Sequence, residues 1–193
     1  MNLTNRSQYY IISTLILLLV VTREYNLATW HSLPGATWAV FFLAGIYIKP
    51  KWILPLLLLL TWLLDFSASK WGSASDSCLT PAYGFLIPAY ASLWLAGYWY
   101  SRRYILSFKT IPLLIISLFT GAFLCELFSS GSFYLLSGYF SQPNLTEFMG
   151  RELSHFPAYL LSVYFYVALA AMVHVLFALS KPHFENTHPP VNE

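Results

Sequence analysis

A chain of 193 residues that is 58% hydrophobic and only 9% charged is not a soluble domain, which carries about 25% charged residues. A net charge of +2, with no basic patch interleaved with aromatics, excludes a nucleic-acid partner. Two cysteines, Cys78 and Cys125, exclude a disulfide-rich scaffold, and without a glycine-rich phosphate loop, C-x-x-C or H-E-x-x-H the chain has no ATP site of its own.

The composition predicts an all-α membrane protein, because in lipid every backbone polar group must be bonded within its own segment. Six apolar segments follow in chain order, at about 8–22, 33–48, 52–67, 82–100, 110–129 and 157–179. The first is followed by Arg23-Glu24-Tyr25-Asn26 with no small-x-small cleavage site, so it reads as a retained helix rather than a signal peptide. The first three are short and imply tilt or local thinning of the bilayer. One membrane domain over 1–181 is predicted, then a polar tail over 182–193 without periodicity, read as disordered.

Six spans sort the connections onto two sides. Arg6, Lys49, Lys51, Arg102, Arg103, Lys109 and Lys181 fall on one side, and Arg23, Lys70 and Arg151 on the other. The basic excess marks the first side as cytoplasmic, with both termini inside, in a membrane crossed several times. The predicted outer connections, 23–32, 68–81 and 130–156, are long, and long loops on a rigid scaffold carry binding residues. An outward-facing site is expected.

Candidate residues gather there. Asp65 and Glu126 lie near the outer ends of the third and fifth segments, and an ionisable side chain within a span costs about 2.5 to 3.5 kcal/mol on insertion scales. Cys78 stands in Ser75-Asp76-Ser77-Cys78-Leu79-Thr80-Pro81-Ala82-Tyr83. A thiol in that polar loop is a metal ligand, a nucleophile or half of a disulfide with Cys125. Cys125 itself, inside an apolar segment, reads as a packed small hydrophobe. One cysteine does not close a metal site by itself, but it suits a metal whose other positions a macrocycle fills. Trp30, Tyr83 and Phe85 belong to an aromatic set that is largely an interfacial belt, with a few members able to wall a wide, flat pocket. His31 and His155 lie on the same side, whereas His174 reads as a packed residue near the inner end. Ser129-Ser130-Gly131-Ser132 and His174 fall at opposite ends of the bundle, so a serine-histidine hydrolase is excluded.

Six helices with both ends inside, Asp65, the Asp76-Ser77-Cys78-Leu79-Thr80-Pro81-Ala82-Tyr83 loop and the earlier His31-Ser32-Leu33-Pro34-Gly35 resemble the BtuM family of cobalamin S-components, of energy-coupling-factor (ECF) type vitamin transporters. The resemblance implies a transported cobalamin held on the outer side, with the Cys78 thiolate as an axial ligand of its cobalt. Asp65 and Tyr83 carry over as ligand-binding residues, with His31 beside them and Trp30 and Phe85 among the aromatic walls. It also implies a catalytic role for Cys78: thiolate donation labilises the opposite axial position and removes an upper cyanide. The first helix lacks the A-x-x-x-A spacing by which such components pack on an energising ATPase module, which points to a solitary member with the lipid bilayer as its surroundings. The alternative from another class is a membrane thiol oxidoreductase or haem-binding redox protein using Cys78. A third reading is an S-component for another vitamin, with Cys78 incidental.

Overall fold

Helix bonds every amide of an apolar stretch internally, and nearly all of the described residues are helical. The computed structural model describes residues 5–23, 35–70, 81–105, 107–138, 140 and 144–180. Among them are six α-helices, two short 3₁₀ turns and no strand. The helices are α1 (Asn5–Arg23), α2 (Thr37–Tyr47), α3 (Ile53–Lys70), α4 (Leu86–Arg103), α5 (Ile111–Leu136) and α6 (Leu145–Ser180), and the turns are Pro81–Phe85 before α4 and Phe108–Thr110 before α5. The predicted tail over 182–193 lies outside the described residues.

Among the described residues, two helices are long and apolar enough to cross a membrane, Ile111–Leu136 and the stretch Leu145–Leu176 of α6. Both bury little of their surface and turn side chains such as Ile116, Phe123, Leu161 and Phe165 outward, as a helix facing lipid should. Segments Ser7–Arg23, Thr37–Tyr47 and Ile53–Ser67 are apolar but shorter.

The core lies around α2 and α4. Phe41, Phe42, Leu93 and Leu118 are fully buried there, with Leu19 from α1, Ile53 and Leu57 from α3 and Val163 from α6 around them. Glycines let these helices touch by their backbones. A Cβ on Gly97 of α4 would land on the Phe42 carbonyl oxygen of α2, and one on Gly45 of α2 would land on the Trp94 carbonyl oxygen of α4. On the other side of α4, a Cβ on Gly121 of α5 would come within 2.8 Å of the Ala96 Cβ. Hydroxyls bridge the same seam: Ser117 Oγ donates to the Ala96 carbonyl at 2.7 Å and Ser92 Oγ to the Gly121 carbonyl at 3.2 Å. Small residues and interhelical hydroxyl bonds are how helices associate where lipid removes the hydrophobic drive.

Two ends of the bundle are chemically distinct. One gathers Arg23, Asp65, Tyr83 and Tyr90. The other brings Tyr47, Tyr104 and His174 together, with ring centroids 5.7 and 5.6 Å apart on either side of the histidine. Next to it Arg102 and Arg103 lie over the rings of Tyr98 and Trp99. His174 is thus packed between aromatics at the basic end, as its sequence position suggested.

The expected long connection over 130–156 is largely helix. α5 runs on to Leu136 and α6 starts at Leu145, with Pro157 inside it. Asn144 explains the early start. Its Oδ1 accepts the Thr146 amide at 3.0 Å and its carbonyl accepts the Phe148 amide at 3.0 Å, which makes Asn144 the N-cap, with Glu147 at the third helical position. Asn144→Ala is expected to cost about 1 kcal/mol, read as a lower unfolding midpoint in detergent; an unchanged midpoint would show that the cap contributes nothing.

Candidate functional site

Asp65, five residues before the end of α3, sits in a polar network with side chains from four other elements. From the end of α1, Arg23 grips its carboxylate with both prongs, Nε to Oδ1 and Nη2 to Oδ2, each at 2.6 Å. The remaining nitrogen, Nη1, donates to Thr37 Oγ1 at 3.1 Å, at the start of α2, and reaches the Tyr90 hydroxyl of α4 at 3.5 Å. From the turn before α4, the Tyr83 hydroxyl donates to Asp65 Oδ2 at 2.5 Å. Burial, and then the bond to Asp65, push the Tyr83 phenol above its ordinary pKa, so it stays protonated and serves as the donor. The Arg23 and Asp65 side chains are only 16% and 20% exposed, so the pair is mostly withdrawn from water. Bidentate, charge-assisted bonds of this kind fix geometry as well as charge. Phe41 stacks on Tyr90 with centroids 4.5 Å apart and braces the network from the core.

A cavity of about 490 Å³ opens beside it. Tyr83 belongs to both, because its ring also lines the cavity. The far walls are Phe133, Phe148 and Tyr159, from the second half of α5 and the first half of α6. Glu126 and Glu152 supply the polar surface. Glu126 Oε1 accepts Ser130 Oγ at 2.8 Å, and the Glu152 carboxyl lines the same cavity from α6. Arg151 also lines the cavity, but its Nε and Nη2 are bound to Glu147 Oε1 at 3.2 and 3.0 Å, and its guanidinium lies 4.7 Å over the Phe140 ring. His155 turns Nδ1 to the Arg151 carbonyl at 2.8 Å. The volume is within the range of small-molecule pockets.

No family model and no curated protein matches the chain.

The sequence-predicted residues divide into three groups. Asp65 and Tyr83, 18 positions apart, meet in one hydrogen bond. Phe85 stands at the end of the 3₁₀ turn, 42% exposed, and is not part of the cavity lining. Cys78, His31 and Trp30 lie outside the described residues. Of the others, Glu126 and His155 face the cavity, and Cys125 is fully buried in α5, the packed position expected of it. Arg23 was legible only as a loop cation. The signal that could have found its role is Asp65 itself, because a carboxylate at the end of an apolar helix needs a counter-charge on a neighbouring helix.

Proposed function

We propose that the chain is a six-span S-component-like protein that binds cobalamin at the end of the bundle carrying Asp65 and moves it inward across the bacterial cytoplasmic membrane. The observation that carries the reading is the bond between Asp65 and Tyr83. These two residues flank the Cys78-bearing segment in sequence, and the resemblance assigns both to the ligand site. The bond holds Pro81–Phe85 against the last turns of α3, so the two described elements on either side of Cys78 in sequence meet at one place, beside a cavity with aromatic walls. A corrin ring already fills four positions of its cobalt. A single thiolate then suffices as an axial ligand, and Cys78 supplies it while displacing the nucleotide base from that face. Electron donation from sulfur weakens the opposite bond, so an upper cyanide leaves with its electron pair as cyanide ion and the cobalt keeps its oxidation state. Both termini face the cytoplasm in this arrangement, which leaves the basic end of the bundle, with Lys49, Lys51, Arg102 and Arg103, on the inner side.

The test is the visible spectrum of the purified protein after incubation with cyanocobalamin, beside Cys78→Ala. The expected result is a bound corrinoid whose bands are shifted in the wild type and unshifted in Cys78→Ala, with cyanide released only by the wild type. A protein that retains no corrinoid removes the reading. A corrinoid bound equally, and with the same spectrum, by both proteins removes the thiolate from it.

A further inference from the structure

We propose that Glu126 and Glu152 make the cavity selective for primary amides over carboxylates at the edge of the ligand. The inference rests on the corrinoid reading above and deepens it, since a corrin carries primary amides around its rim. The cavity meets the Asp65 network at Tyr83, and at about 490 Å³ it suits an edge of so large a ligand rather than the whole. Its walls divide the work. Phe133, Phe148 and Tyr159 offer apolar faces to the macrocycle's flank.

The polar surface is one of acceptors. The carboxyls of Glu126 and Glu152 both line the cavity, and their oxygens retain lone pairs beyond the bond that Glu126 accepts from Ser130. The one guanidinium among the described lining residues, that of Arg151, has Nε and Nη2 bound to Glu147 Oε1 and lies over the Phe140 ring, so its charge is partly offset by a carboxylate already in place. A primary amide brings two N–H donors to this surface, whereas a carboxylate brings only acceptors. A ligand carboxylate would also place a further negative charge beside two carboxyls. Selectivity of this kind comes from rejecting the wrong ligand as much as from holding the right one.

The experiment compares equilibrium binding of cyanocobalamin with that of its three monocarboxylates, each with one rim propionamide hydrolysed, at one pH, using the full chain and Glu126→Gln/Glu152→Gln. The wild type is expected to bind at least one monocarboxylate about tenfold more weakly than cyanocobalamin. In the double variant that disadvantage is expected to shrink to within about threefold, read as the ratio of the two dissociation constants of the same protein. Glutamine keeps the shape and an acceptor for Ser130; if the double variant does not fold, each single variant is expected to lose part of the discrimination. Equal binding of all four ligands by the wild type, or discrimination unchanged in the variants, overturns the inference and leaves the corrinoid reading standing. Failure of the wild type to bind cyanocobalamin at all removes both.

Discussion

Asp65→Ala is expected to destabilise the protein by about 3 kcal/mol, the cost of leaving a largely buried charge without its partner. The substitution removes both carboxylate oxygens from the Arg23 fork and the acceptor of the Tyr83 hydroxyl. Arg23 would keep only the neutral oxygens of Thr37 and Tyr90. The measurement is the thermal unfolding midpoint in detergent. A loss under about 1 kcal/mol would mean that the pair behaves as an exposed surface bridge. Replacing both partners, Arg23→Leu with Asp65→Leu, is expected to recover most of the stability, because two apolar side chains leave no uncompensated charge. Tyr83→Phe, measured beside the double variant, then separates two roles of Asp65. If the residue also touches the ligand, stability returns and cobalamin binding does not. If Asp65 only anchors the Tyr83 turn, binding is lost as well, but Tyr83→Phe alone reproduces that loss.

That network shows where sequence reading succeeds in this chain and where it fails. The helical segments were legible because an apolar run in lipid has one way to satisfy its backbone, and five of the six predicted starts fall within four residues of a helix or of the turn leading into one. The C-terminal end of α5 and the start of α6 were not. Ser129-Ser130-Gly131-Ser132 reads as a loop, since serine competes with helix through local bonds. Here those bonds work with the helix: Ser130 donates to Glu126 one turn back, and Ser132 to the Ser129 carbonyl. Pro157 reads as a first-turn residue, yet α6 passes through it. The decisive signal, Asn144 with Glu147 three positions on, sits thirteen residues earlier and resembles any polar turn until its bonds are seen. As a result Glu152 and His155 move from an expected loop onto a helix, and they meet Glu126 across the cavity. The pairing of Arg23 with Asp65 spans 42 positions, and no local pattern encodes it.

The small-residue pattern sought in the first helix lies elsewhere, and its removal is the other large effect expected. Gly97→Ala and Gly45→Ala should each cost about 3 kcal/mol, at the upper end for overpacking. In both cases the added methyl meets backbone rather than a side chain that can swing away: the Phe42 carbonyl for Gly97, and the Trp94 carbonyl with the Tyr98 amide nitrogen at 2.9 Å for Gly45. Relief requires α2 and α4 to part. Because Thr37 opens α2 and Tyr90 stands near the start of α4, parting them also pulls at two of the groups around Arg23. Ligand binding should therefore weaken together with stability, although neither glycine lies near the cavity. Gly150→Ala is the control. Its position on α6 has no atom within 4 Å of an added Cβ, so the change should stabilise by up to about 1 kcal/mol through helix propensity alone. Unfolding midpoints for the three variants decide the matter: if Gly97→Ala and Gly45→Ala melt with Gly150→Ala, α2 and α4 are not in backbone contact, and the seam does not hold the Asp65 end in place.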